Sequence, residues 1–504
     1  MHFTNSAIYH APLSFDLIIC LAAVSGYTHK EFACVAIACV NLYNVQCKCR
    51  YSVSHYPSGT YHHFGGKKMS LCSAGTDSKK EFADMPENAP VPRGYTIPLL
   101  DLANDRFRQS VVDREPGQYL GHPTTVLLDD GLTILTVYPK SHGRGPIVLK
   151  KSTDAGRTWS ERLPVPDSWA TSLEVPTIYR TEGPDGRKHL IMFSGLYPIR
   201  MAHSEDDGES WSELASIGDF GGIVAMGDVT QVGKGEYLAF FHDDGRFIKP
   251  AGTDLTEVYV AGEGQDVASR IVYSSSDGNG GWVPNSVWNS SRHAESLPGT
   301  AWHKRFTTVS DIEGSAAKRG RFTVYSVRSR DGGLTWGELK PVCTHDTASL
   351  CEPGVVRSPD GKQLAMLLRE NSRKYNSFVT FSNDNGLTWS APRELPGALT
   401  GDRHTIRYLK DGRLFVSFRD MCHESPTRGD WVGWVGTYDD IAKGCEGEYR
   451  VRLMKNYDGA DCAYPGVLVL PDGTVVATTY GAWTPGEKQY IVTVRFKPPV
   501  IKNI

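Results

Sequence analysis

The chain has 504 residues, 40% of them apolar, and a formal net charge of -3. That length allows two or three average domains or one large all-β body, and the apolar share is ample for a core. A charge so near balance excludes a broad electrostatic footprint for nucleic acid or an anionic membrane, so any charge that matters is local.

Residues 1–92 differ in texture from the rest. Residues 13–26 (LSFDLIICLAAVSG) are apolar, but Asp16 interrupts them and no Lys or Arg precedes them, so they form no clear signal peptide. The run 32–43 (FACVAIACVNLY) is too short to span a bilayer, and no other membrane span is expected. After Met69 comes the polar stretch 73–92 (SAGTDSKKEFADMPENAPVP). The whole segment is expected to lie outside the folded body, as a disordered or targeting region or an overlong start. Six of the eleven cysteines fall here, and Cys47-x-Cys49 lacks both the spacer and the distant partner of a zinc site. No metal, nucleotide, haem or flavin motif follows, so no cofactor is expected.

From residue 93 onward the chain repeats itself. Ser152-Thr-Asp154-Ala-Gly156-Arg-Thr158-Trp159 returns as Ser204-x-Asp206-x-Gly208-x-Ser210-Trp211, Ser329-x-Asp331-x-Gly333-x-Thr335-Trp336 and Ser382-x-Asp384-x-Gly386-x-Thr388-Trp389, with a degraded copy from Ser275 to Trp282. Each has the chemistry of a tight hairpin: Asp for backbone amides, Gly for positive φ, Trp for burial. These residues are read as scaffold.

What precedes each motif defines six larger units of apolar strand, Asp-Gly turn, strand, loop and strand. They open at Gly121-His122-Pro123, Glu174, Gly227-Asp228, Cys351-Glu352-Pro353, Gly401-Asp402-Arg403-His404 and Ala463-Tyr464-Pro465. A small sheet of three or four strands cannot bury both faces alone, whereas six packed radially can. The expected fold is an all-β six-bladed propeller over residues 93–504, closed by a strand near Arg108 to Val112 in the last blade. Residues 248–320, which hold the degraded motif and the acceptor sequon at Asn289, are read as an insertion rather than a seventh blade.

The first strand of each blade lines the axis, so the opening residues converge on one pocket: His122, Glu174, Asp228, Glu352, Arg403, His404 and Tyr464. Loops after the second strands add Lys140, His142 and Arg144; His242, Asp243 and Arg246; Arg369 and Glu370; Arg419 and Asp420. Such a set of guanidinium, imidazole and carboxylate groups suits an anionic, hydroxyl-rich ligand.

On these hairpins and opening residues the chain resembles the sialidase (neuraminidase) superfamily, six-bladed propellers whose hairpins are called Asp boxes. The resemblance implies a glycoside hydrolase acting on a terminal, acidic sugar, with a glycan as partner and an extracytoplasmic or secreted setting. It implies that Tyr464 is the nucleophile, Glu352 its base, and Arg369 the grip on a substrate carboxylate, with Arg428, Arg403 or Arg419 as a further arginine. A phenol suits a substrate with a carboxylate beside the reacting carbon, because it approaches neutral. Blade one departs from the family: His122 stands where the family has an arginine, and YPKSHGRG stands where it has its acid/base aspartate. There His142 is the candidate proton donor, with Asp461 or Asp243 as alternatives and Lys140 and Arg144 as replacement cations. Two other readings stay open: a His-dependent glycosidase or uronate lyase on the same pocket, and a non-catalytic glycan-binding propeller.

Overall fold

The computed structural model describes residues 91–245, 247–249 and 321–500, with short strands at 258–260, 270–272 and 283–284. Nearly all of the expected N-terminal segment, Arg246, the degraded hairpin and the sequon at Asn289 lie outside the described residues.

Six antiparallel sheets form the blades. Each begins with an inner strand: Thr124–Leu127, Pro176–Glu182, Ile223–Gly233, Leu350–Arg357, Gly401–Tyr408 and Gly466–Val469. Every inner strand touches the next, and the sixth touches the first, which closes the ring. The second strands are Ile134–Pro139, Lys188–Ser194, Glu236–Asp243, Leu364–Glu370, Leu414–Asp420 and Val475–Gly481. Sequences such as ILTVYP and LFVSFRD are apolar on both faces because each sheet is sandwiched between neighbours. Blade six takes its outer strand, Gln109–Asp113, from the start of the described chain, paired antiparallel with Tyr490–Phe496. Blade five gains a fifth strand, Leu99–Asp101, parallel to Tyr449–Met454, which covers an edge that would otherwise be open.

The four intact hairpins share one bonding scheme. In the second, Ser204 Oγ donates to Asp206 Oδ1 at 2.8 Å and accepts from the Gly208 amide at 2.9 Å, while the Ser210 amide donates to Asp206 Oδ1 at 2.9 Å. The glycine has φ +89 and a Cβ there would lie 2.4 Å from Leu135 Cδ1 in blade one. Gly156, Gly333 and Gly386 dock in the same way on Val476, Ile191 and Leu238. Each hairpin therefore packs on the second strand of the blade before it.

Unit three corrects the expected opening. Its inner strand starts at Ile223, so Gly227 and Asp228 lie well inside it. The residue that opens it is Val224 (φ 49), which joins His122, Glu352, Arg403 and Ala463 in the left-handed region at the same place in their blades. An apolar Ile-Val-Ala run carries no turn chemistry to mark that start. Between its second strand and Thr323–Ser329 lie residues 248–320, most of them outside the described residues. Among the described residues, no helix is long and apolar enough to cross a membrane.

Candidate active site

The left-handed residues turn the chain into the axis, and the strands that follow fix what they present. In blade four Glu352 is buried at the head of its inner strand, and Arg369 is the penultimate residue of the second strand. In blade six Tyr464 follows Ala463 and is 7% exposed. The three side chains meet. The Tyr464 hydroxyl donates to Glu352 Oε1 at 2.6 Å, and Arg369 Nη1 donates to the same carboxylate oxygen at 2.6 Å and to the phenol oxygen at 2.9 Å. Burial, followed by the charge of Glu352, pushes the Tyr464 phenol above its ordinary range, although Arg369 and Arg419 pull the other way. The resting phenol is protonated, with an acceptor for its proton already bonded.

Arg419 is the penultimate residue of the second strand in blade five, the place Arg369 holds in blade four, and its Cζ lies 5.5 Å from the centre of the Tyr464 ring. Both guanidinium groups, with Arg373, converge on Asp402. Arg373 donates to its two oxygens at 2.5 and 2.8 Å, Arg419 Nε at 2.9 Å, and Arg369 Nε lies 3.2 Å away. Asp402 has no solvent exposure. Burial would raise its carboxyl, but Arg419, Arg369 and Arg373 outweigh that and hold it well below the usual range.

Blade one contributes imidazoles. The buried His122 ring lies 4.7 Å from the Tyr464 ring, 4.4 Å from Tyr480 and 4.9 Å from His142. Burial, then neighbouring His142, keeps His122 neutral far below its ordinary range. Its Nε2 lies 3.1 Å from the Tyr480 hydroxyl and its buried Nδ1 has no partner. The exposed His142 places Nδ1 at 2.8 Å from the Tyr119 hydroxyl and 3.4 Å from Asp461 Oδ2. Asp461 also accepts from Tyr119 at 3.1 Å and Tyr480 at 3.1 Å. Burial would raise the Asp461 carboxyl, but the bond and charge of His142, the Tyr480 bond and the neighbouring His122 together outweigh it and hold it low. Among the described residues no cluster of His, Cys, Asp and Glu has the arrangement of a metal site.

The profile of the BNR repeat-like domain family matches residues 288–476. A sialidase of Clostridium perfringens is 23% identical over 352 residues, which are 63% of this chain and 81% of that protein. The chain is thus similar, at low identity, to sialidases. A sialidase of Paraclostridium sordellii is 29% identical over 136 residues, 24% of this chain and 32% of that protein. A solved structure of a protein of unknown function from Dyadobacter fermentans DSM 18053 has the same fold, with a TM-score of 0.50 at 15% identity over 77% of this chain and 97% of its own.

The residues expected at the site of this propeller separate into two sets. Tyr464, Glu352, Arg369, Arg419, His122, His142 and Asp461 come together as described. Lys140 pairs with Glu115 at 3.4 Å at the rim, and Arg144 is exposed there. The others face elsewhere. Asp243 accepts the amides of Gly245, Phe247 and Ile248, and Glu370 and Asp420, at the same place in their strands, cap their own loops likewise. With a period of two, the residue after each pocket-facing one must point away. His404 is buried with Nε2 on the Leu399 carbonyl, and Arg428 donates to the carbonyls of Met421 and Cys422. Arg403 donates to the Met226 carbonyl and lines a separate axial cavity of about 40 Å³ with Asp228 and Thr125. Glu174 accepts the Val224 amide at 2.6 Å. Sequence reasoning missed Tyr119, Tyr480, Arg373 and Asp402. Tyr480 was findable, since it is penultimate in its second strand, as Arg369 and Arg419 are in theirs.

Proposed function

We propose that this chain is an exo-glycosidase that removes a terminal, acidic sugar from glycans through a covalent tyrosyl intermediate. The observation that carries the reading is the bonded triangle of Tyr464, Glu352 and Arg369, drawn from two blades into one buried place. As the phenol oxygen forms its bond to the anomeric carbon, its proton passes to Glu352, and Arg369 meets the negative charge on the phenol oxygen. The bond to the aglycone breaks, and its oxygen takes a proton from His142, whose Nδ1 is held by Tyr119 and Asp461 so that Nε2 serves the leaving group. Water then displaces Tyr464, with His142 removing its proton and Glu352 returning the first one to the phenolate.

A second reading draws on the His122 and His142 rings packed beside Tyr464. Together they offer a base and an acid for a lyase that eliminates across a uronate. A panel of fluorogenic sialosides and uronides, followed for both released aglycone and ultraviolet-absorbing unsaturated product, separates the two. Hydrolysis of at least one member is expected, falling by roughly a hundredfold or more in folded Tyr464→Phe. Undiminished turnover in that variant removes the phenolic nucleophile, and an unsaturated product replaces the hydrolase with the lyase.

A further inference from the structure

We propose that Asp402 is a positioning residue that fixes Arg369 and Arg419 against the Tyr464 phenol and tempers their charge there, an inference that rests on the reading of Tyr464 as the nucleophile. The fold itself does not ask for a carboxylate at this place. Asp402 directly precedes the left-handed Arg403, and the residues that precede the equivalent left-handed positions are Gly121, Ile223, Cys351 and Cys462. The register agrees: Cys351 pairs with Arg369 in blade four as Asp402 pairs with Arg419 in blade five. Uncharged residues therefore build the same junction in four other blades. A carboxylate with no solvent exposure is costly unless paired, and this one is paired with three guanidinium groups from two blades.

Two of those three flank the nucleophile. Arg369 spans from Asp402 to the phenol oxygen and Glu352, with Nη2 on Asn371 at 2.7 Å, and Arg419 lies against the ring. Among the described residues, the titratable groups around Tyr464 include Glu352 and Arg369 from blade four, Asp402 and Arg419 from blade five, His122 from blade one and Tyr480 from its own blade. The arginines favour the phenolate, whereas Glu352 and Asp402 favour the phenol. Removing the Asp402 charge leaves the arginines without their hub and shifts that balance toward phenolate.

The test needs no substrate. In protein carrying carbon-13 at tyrosine Cζ, the Tyr464 resonance is assigned by its loss in Tyr464→Phe and followed against pH in wild type, Asp402→Asn and Asp402→Ala. The midpoint is expected to fall by about one pH unit or more in folded Asp402→Asn. In Asp402→Ala, added formate is expected to fill the vacated place among the guanidinium groups and move the midpoint back up. Should the alanine variant not fold, the isosteric asparagine variant decides alone. An unchanged midpoint in Asp402→Asn, or a Tyr464 resonance that titrates in neither protein up to the alkaline limit of folding, overturns the proposal. Turnover retained in Tyr464→Phe would instead sink the nucleophile and leave the titration standing.

Discussion

At the scale of single residues the site divides into a buried half and a wet half. Tyr464, Glu352 and Asp402 are nearly or fully removed from water, whereas the His142 side chain is 64% exposed. In the proposed reaction that exposed imidazole protonates the leaving oxygen, a task whose weight depends on how basic the leaving group is. His142→Gln is therefore expected to slow natural glycosides with alkoxide leaving groups by about a hundredfold or more and to spare aryl glycosides with acidic phenols. Equal losses on both would rule out a proton-donor role. The residues behind this prediction were unequally visible in the sequence. Tyr464, Glu352 and Arg369 stand at repeat positions and were named from them. Asp402 was quoted only as part of an opening motif because it is one residue off the expected pocket position, and Arg373 and Tyr119 sit on irregular segments where no period constrains the side chain.

At the scale of elements the hairpin is a docking device as well as a turn. Gly386 combines φ +81 with a Cβ position 2.4 Å from Leu238 Cδ1, while Gly412 has φ +86 and open space around it. Gly386→Ala should destabilise the protein by about 2–4 kcal/mol, strain and overpacking together, and Gly412→Ala by about 1 kcal/mol from strain alone. Equal shifts in urea midpoint would deny the contact between blades. The same hairpins carry a pH signature. Hydrogen bonds from the Ser210 and Thr388 hydroxyls and amides, the hydroxyls foremost, hold the Asp206 and Asp384 carboxyls down to about 2. In the unfolded chain a free Asp titrates near ~3.9, so between about pH 4 and 2 the unfolded state binds more protons. The stability these bonds supply is complete above that window and lost as pH falls through it. Replacing both aspartates with Asn should flatten urea stability against pH there, and an unchanged slope would exclude their part in acid unfolding. The motif was legible because its bonds depend on side-chain types at fixed spacing. The opening of blade three was not, since Ile223-Val224-Ala225 turns into the axis with no such side chain.

At the scale of the whole molecule, residues 112 positions apart share a hydrogen bond only because the ring is closed. The closing strand Gln109–Asp113 was legible from the need to complete blade six, whereas Leu99–Asp101, three residues long, is too short to show a period. The two strands also differ in what holds them. Asp113 accepts from Tyr138 and, at 2.7 Å, from Arg162, while Lys150 Nζ donates to the Val112 carbonyl at 2.5 Å, so blade one clamps the strand that completes blade six. Val112 then packs in one cluster with Tyr138, Tyr480 and Tyr464. Asp101 instead pairs with Arg452 at a half-exposed edge, where such pairs contribute about 0–1 kcal/mol. Asp113→Ala leaves Tyr138 without its acceptor and Arg162 with Glu115 alone, and should cost about 1–3 kcal/mol in denaturant stability, with Asp101→Ala near neutral. Because the clamp lies behind Tyr464, turnover in Asp113→Ala should fail at a lower denaturant concentration than in wild type, together with the loss of tertiary structure. If turnover instead outlasts the global transition, or if both variants lose equal stability, the ring is not held shut at this seam and the site does not depend on its closure.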